Sequence, residues 1–329
     1  MVLEHGGRLR EAARKYSIPL SEWLDLSTGI SPWSWPVPVI PDSVWRRLPE
    51  ADDELESVAR RWAGVPENAA CLPVAGSQAA IQCLPRLRDP GRVGIVRPGY
   101  AEHAHCWAQA GHELVPVTSD SVDEVLDELD VLVWIHPNNP TGQVLPRETL
   151  LAWRQRLAAR GGCLVVDEAF IEASEAASLV PDTGEEGLIV LRSIGKFFGL
   201  AGIRGGLVMA EPGLIDRLVA LLGPWAVAGP TRWIMQQALA DTAWQRRQKQ
   251  RLADASTALR STLESAGLPL TGGTDLFQFT LTEEATTIQE SLASHGVLVR
   301  CFKEPRALRF GLPGEKDALL RLQFLLSGL

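Results

Sequence analysis

The sequence predicts an α/β fold: a mostly parallel central sheet with helices on both faces, followed by a smaller C-terminal α/β domain. Short, continuously apolar runs recur between residues 93 and 209 and alternate with helical stretches, the pattern of strands buried on both faces. From about residue 212 the texture changes to longer helices interleaved with short strands. A chain of 329 residues, 46% of them hydrophobic, has apolar material for about two such domains.

Residues 1–44 read as an irregular arm. Pro32, Pro36, Pro38 and Pro41 remove donors and fix φ, and Trp33 and Trp35 look suited to packing on another surface. An amphipathic helix is expected at 52–62, ending near Gly64. Strands are expected at 93–96, 114–117, 131–135, 164–166, 188–191 and 206–209, with helices at 78–87, 101–110, 121–129 and 146–160. Beyond them, 212–222 and 230–265 read as helices, 277–281, 298–300 and 308–310 as strands, and 285–294 and 315–327 as helices. The expected organisation is an arm (1–44) that joins the small domain and covers the site, a large domain (45–224) and a small domain (225–329).

Composition narrows the function. A net charge of −8 and a pI near 5.4 argue against nucleic acid or an anionic membrane as partner. Five cysteines without a CxxC pair fit reduced thiols in a cytoplasm. No apolar run approaches the roughly 20 residues that span a bilayer, and Met1 to Arg10 lack the apolar core of a signal peptide. A cytoplasmic enzyme with a small-molecule substrate is the expectation. His103, His105 and Cys106 invite a metal reading, but i and i+2 do not share a helix face, so no metal site is expected.

Of 32 basic residues only five are lysine, and Lys196 alone among them lies in an apolar, glycine-flanked turn, Ser193-Ile194-Gly195-Lys196-Phe197-Phe198-Gly199. An arginine-rich chain that keeps one lysine there points to use of the amine, which arginine cannot replace. Other clusters also fall where strands end or helices begin. Gly76-Ser77-Gln78 opens a helix, where backbone N–H groups hold an anion. Asn139-Pro140-Thr141-Gly142 follows one strand, Asp167 ends another, and Arg204 precedes a third. Ligands of open α/β sheets bind at strand carboxyl ends, so these loops can form one pocket. An amine for an aldehyde, a carboxylate for a pyridine nitrogen, and Ser, Arg and a helix N-terminus for a phosphate are what pyridoxal 5′-phosphate (PLP) requires. Taken singly, Ser77 also reads as a helix cap, Asp167 as a cap after a strand, Tyr100 as packing, Arg300 as a solvated strand end and His5 as a terminal residue.

The ordered set GSQ, PGY, NNPTG, DEAF, SxxK and R resembles the aspartate-aminotransferase superfamily, PLP fold type I, over nearly the whole chain. That resemblance implies PLP as cofactor, Lys196 as its lysine and proton carrier, Asp167 at the pyridine nitrogen and Asn139 at the 3′-oxygen. It implies Tyr100 stacked on the ring, with Ser77, Gln78, Ser193 and Arg204 around the phosphate. Arg309, in Ala307-Leu308-Arg309-Phe310-Gly311, matches the arginine for a substrate anion, and a homodimer is implied. His5-Gly6-Gly7 and the segment from Trp23 to Pro32 further resemble the L-threonine-O-3-phosphate decarboxylases of cobalamin biosynthesis. This implies loss of CO₂ from a phosphorylated amino acid, with His5, Thr28, Gly29, Asn139, Arg300 and Arg309 as substrate residues. An aminotransferase of the histidinol-phosphate or aromatic type is the alternative. A third, the sensor half of a transcription regulator, needs a DNA-binding domain that 44 proline-rich residues do not supply. Three departures stand out: Ser31 replaces the family's asparagine, which is expected to weaken a contact over the site, Phe170 replaces a tyrosine near the 3′-oxygen, and Leu48 stands where a partner's tyrosine reaches the phosphate.

Overall fold

The structure is a computed structural model that describes residues 5–328; the first four residues of the expected arm lie outside the described residues. The arm is not irregular. It carries helix α1 (Leu9–Tyr16), strand β1 (Leu24–Leu26) and the short helix α2 (Asp42–Arg46). There follow α3 (Leu55–Ala63), β2 (Ala70–Val74), α4 (Ser77–Cys83), β3 (Arg92–Val96), α5 (Ala101–Gln109) and β4 (Glu113–Val117). The alternation continues with α6 (Val122–Val125), β5 (Val131–Ile135), α7 (Arg147–Ala158), β6 (Cys163–Asp167), β7 (Leu188–Ser193), β8 (Gly206–Ala210) and α8 (Pro212–Leu222).

These strands form one seven-stranded sheet in the order β2-β8-β7-β6-β5-β3-β4. All neighbours are parallel except at β8, which is antiparallel to both β2 and β7. Every residue of β5 and β8 is buried, as strands covered on both faces must be. Crossings from β3 to β5 and on through β6 and β7 place the carboxyl ends of those strands side by side, and their loops build the site.

The C-terminal part comprises α9 (Gly229–Ala240), α10 (Thr242–Ser265), β9 (Gly272–Thr274), β10 (Phe277–Leu281), α11 (Ala285–Ser294), β11 (Val297–Phe302), β12 (Ala307–Gly311) and α12 (Lys316–Leu326). Its five-stranded sheet has the order β1-β11-β12-β10-β9, so the arm supplies one edge strand. The helix expected over 230–265 is two helices. Asp241 separates them in a non-helical conformation, and its Oδ1 caps α10 by accepting from the Trp244 N–H at 2.9 Å. Asp241 Oδ2 accepts from Trp35 Nε1 at 3.2 Å. Trp35 is therefore buried in the chain's own core and Trp33 lies beneath the Arg251 guanidinium, so neither is the free docking surface expected of the arm. The two sheets meet where the loop after β5 crosses β9. Gly142 has φ 75°, and a Cβ there would lie 2.1 Å from the Gly273 carbonyl oxygen, so this crossing requires glycine.

Candidate active site

A cavity of about 650 Å³ opens between the two sheets. His5, Thr28, Gly29, Tyr100, Asn139, Lys196, Arg300 and Arg309 all line it. The loop after β5 delivers Asn139, the turn after β7 delivers Lys196, and the N-terminus of α5 delivers Tyr100. Arg300 and Arg309 face one another across the β11–β12 ladder. Asn138 fixes the Asn139 loop by donating to the Pro98 carbonyl at 2.8 Å and to Thr141 Oγ1 at 2.9 Å.

Of the expected site residues, Ser77, Gln78, Asp167, Ser193 and Arg204 do not line this cavity; Gln78 reaches it through the Tyr100 hydroxyl. Gly76 has φ 75°, and a Cβ there would lie 2.7 Å from Arg204 Nη2. A Cβ on Gly206, the ladder partner of Ser193, would lie 2.5 Å from the Ser77 nitrogen. Small residues thus keep open a cradle of backbone N–H, serine and guanidinium at the start of α4, a donor set suited to phosphate. Arg204 itself sits in the left-handed region, at φ 53°, an unfavourable conformation for a non-glycine residue. It is exposed, so the cradle is open to solvent on that side.

The electrostatics fit a reactive amine. Burial, reinforced by the Arg309 and Arg204 charges and opposed by Asp167, lowers the Lys196 pKa from 10.5 to about 8. Burial and the Arg300 charge bring Arg309 down to about 10. Arg309 donates from Nη1 to Asn139 Oδ1 and from Nη2 to the Ser27 carbonyl at 2.8 Å, while its buried Nε has no partner among the described residues. Burial, with Glu102 and Asp167 nearby, pushes the Tyr100 phenol up, so it stays a neutral donor; its hydroxyl donates to Gln78 Oε1 at 3.2 Å. Asp167 is buried, with Oδ2 2.9 Å from His103 Nε2 and Oδ1 accepting from the Ala169 N–H at 3.1 Å.

Several residues at the site were not singled out from sequence as site residues. His103 backs Asp167, Glu102 joins His5 to Gln78, and Arg97 and Glu304 line the cavity. Helix periodicity signals that His103 is a buried residue of α5, but not that it meets Asp167. Behind Asp167, the Arg192 guanidinium joins buried Glu168 and Glu172, and burial pushes both carboxyls up against its opposing charge. The departures resolve individually. Ser31 is buried outside the cavity lining: its Oγ accepts from Gln248 Nε2 at 2.7 Å and donates to the Trp33 carbonyl at 2.9 Å, and its N–H donates to the Lys196 carbonyl at 3.0 Å, so it anchors the arm beside the lysine. Phe170 lines the cavity edge-on to Phe277, with Lys196 Nζ 5.8 Å from its ring centre. Leu48 is 62% exposed.

A mostly parallel sheet with an antiparallel β8, a buried lysine at the strand ends and a donor set suited to phosphate define a class. The chain belongs to the aminotransferase class I and II family, whose pattern matches residues 45–324. Within that family it is 51% identical over 327 residues to a threonine-phosphate decarboxylase of Pseudomonas aeruginosa, covering 99% of this chain and 98% of the relative. A threonine-phosphate decarboxylase of Sinorhizobium is 38% identical, covering 97% and 98%. Among solved structures, the histidinol-phosphate aminotransferase of Clostridium acetobutylicum superposes with a TM-score of 0.83 at 18% identity, covering 93% of this chain and 98% of that one. The last likeness establishes the fold alone.

Proposed function

We propose that this chain is a PLP-dependent decarboxylase that converts L-threonine O-3-phosphate to (R)-1-aminopropan-2-yl phosphate and CO₂, a step of cobalamin biosynthesis. The observation that carries the reading is the Arg300–Arg309 pair, set side by side on adjacent strands in the cavity that Lys196 enters. Two neighbouring guanidiniums suit a substrate with two anionic groups, a carboxylate and a phosphate. The 51% identity over 99% of the chain supports the particular substrate. A histidinol-phosphate aminotransferase shares the fold, but one from Streptomyces avermitilis is 31% identical over 74% of this chain.

The residues present fit the cofactor. Ser77, Ser193, Arg204 and the start of α4 would hold its phosphate, Asp167 its pyridine nitrogen, Asn139 its 3′-oxygen and Lys196 its aldehyde carbon, with Tyr100 beside the ring. Bound PLP supplies an electron sink for the pair left at Cα when a bond there breaks. His103 holds the Asp167 side chain in place, so its oxygens are oriented before the cofactor arrives. Arg309, held by Asn139 and Ser27, keeps Nε for a substrate anion. Lys196, with a pKa near 8, returns a proton to Cα at the place the carboxylate leaves. His5, Thr28 and Gly29 close the substrate side.

A location in the cytoplasm is supported by five cysteines that form no disulfide among the described residues, where no helix is long and apolar enough to cross a membrane. The assignment of the arm to the small domain is supported by its strand in the five-stranded sheet. A homodimer is supported by exposed Trp45 and Leu48 at α2, exposed Trp225 before α9, and the solvent-facing side of the phosphate cradle.

The test of substrate class compares threonine phosphate with threonine. Removing the phosphate should lower kcat/KM by at least a hundredfold, about 3 kcal/mol, and Arg309→Ala should cost about 2–5 kcal/mol with the phosphate ester. Equal turnover of the two amino acids contradicts the assignment.

A further inference from the structure

One carboxylate joins the arm to the large sheet. Glu102, in the first turn of α5, has a side chain only 16% exposed, and its Oε1 lies 2.7 Å from His5 Nε2. Its Oε2 accepts from Gln78 Nε2 at 3.0 Å, and Gln78 Oε1 accepts from the Tyr100 hydroxyl at 3.2 Å. The backbone beyond His5 is seated on the segment after β1. Gly7 N–H donates to Ser27 Oγ at 2.8 Å, and Ser27 Oγ donates to Asp25 Oδ1 at 2.6 Å. A Cβ on Gly6 would lie 2.3 Å from the Ser27 carbonyl oxygen, the same oxygen that accepts from Arg309 at 2.8 Å. The backbone at Gly6 and Gly7 is thus held against the segment after β1, and the His5 ring by α5. The His5 side chain is 39% exposed, and an exposed side chain keeps one orientation only when something holds it. A carboxylate acceptor makes the strong kind of hydrogen bond that can do so.

We propose that Glu102 is a positioning residue: it latches the arm across the cavity mouth and aims His5 at the substrate's phosphate. This rests on the reading that the cavity takes a phosphorylated amino acid. Glu102 does not line the cavity, so it acts through His5 on one side and steadies Gln78 on the other. Selection of the phosphorylated substrate then depends on an α5 residue that never touches it. Gln at 102 keeps the shape and one acceptor oxygen, whereas Ala keeps neither.

The experiment uses the full-length, PLP-loaded enzyme as wild type, Glu102→Ala, Glu102→Gln, His5→Ala and the double Glu102→Ala/His5→Ala variant. Two readouts are taken: steady-state kinetics with threonine phosphate, and the rate at which trypsin cuts the arm at Arg8 and Arg10. Glu102→Ala should raise KM about tenfold, the loss of a hydrogen bond to a charged group, with a smaller fall in kcat. Glu102→Gln should recover part of that. In the His5→Ala background Glu102→Ala should change KM by less than about twofold, because both act through one contact. Arm cleavage should quicken several-fold in Glu102→Ala. Multiplying effects in the double variant, or cleavage unchanged in both Glu102 variants, overturns the latch. A wild type inert toward threonine phosphate would overturn the proposed function instead, and the cleavage rates would still decide the latch. If the alanine variant does not fold, Glu102→Gln, His5→Ala and the double Glu102→Gln/His5→Ala variant give the same comparison.

Discussion

Lys196 carries a cost that follows from its chemistry. Its pKa near 8, against 10.5 unperturbed, means that the native chain binds fewer protons than the unfolded chain between those values. Stability therefore rises with pH across that window, and below it the buried charge is destabilising. Partial access from the cavity limits the effect to the order of 1–3 kcal/mol. In the cofactor-free protein, Lys196→Met should melt at a higher temperature than wild type at pH 7, and the gap should close between about pH 8 and 10.5. Thermal unfolding of the two proteins over that range checks this; a gap of constant size contradicts it. Lys196 was legible because a lysine-poor chain kept one lysine in an apolar turn. His103 and Glu102 were not, because their contacts reach 64 and 97 residues along the chain, to Asp167 and His5. Spacing along α5 speaks only to shared helix faces, and that reading tested it for a metal.

At the scale of elements, the continuous apolar strands were readable almost to the residue. The strands missed each lacked that signal. β2 contains Pro73, which argues against a strand, yet β2 is an edge strand bonded only to β8, where a missing donor is tolerated. β9 is Gly272-Gly273-Thr274 and β1 has three residues, both too short and weak to show periodicity. The reversed direction of β8 was also hidden, since an apolar run does not state which way it points. The break between α9 and α10 was missed because helical composition continues through it, while Asp241 is held as a cap by Trp244 and as an arm tether by Trp35. Asp241→Ala removes both acceptors and should destabilise the protein by about 1–2 kcal/mol, read as a lower denaturation midpoint, whereas Asp241→Asn should recover much of it by keeping a capping oxygen. An unchanged midpoint for Asp241→Ala would show that the break needs no cap.

For the whole molecule, fold class and the converging loops were visible from sequence, but the large exposed side chains lie elsewhere than the arm tryptophans that the sequence suggested. Trp33 and Trp35 pack within the chain, while Trp45, Leu48 and Trp225 are 63%, 62% and 59% exposed. Aromatic side chains left this open are typical of the core of an interface between copies. Sedimentation at micromolar concentration should give a dimer, and Trp45→Glu with Trp225→Glu should shift it toward monomer and lower activity. A fully active wild-type monomer contradicts that assembly. The fold itself serves aminotransferases and decarboxylases alike, so the decisive question is which bond at Cα breaks. The most direct measurement supplies PLP-loaded enzyme with threonine phosphate carrying ¹³C in its carboxylate, with and without 2-oxoglutarate. The account requires labelled CO₂ and aminopropanol phosphate in equal amounts, whether or not the oxo acid is present. Retention of the label in a 2-oxo acid, with glutamate formed from 2-oxoglutarate, would contradict it.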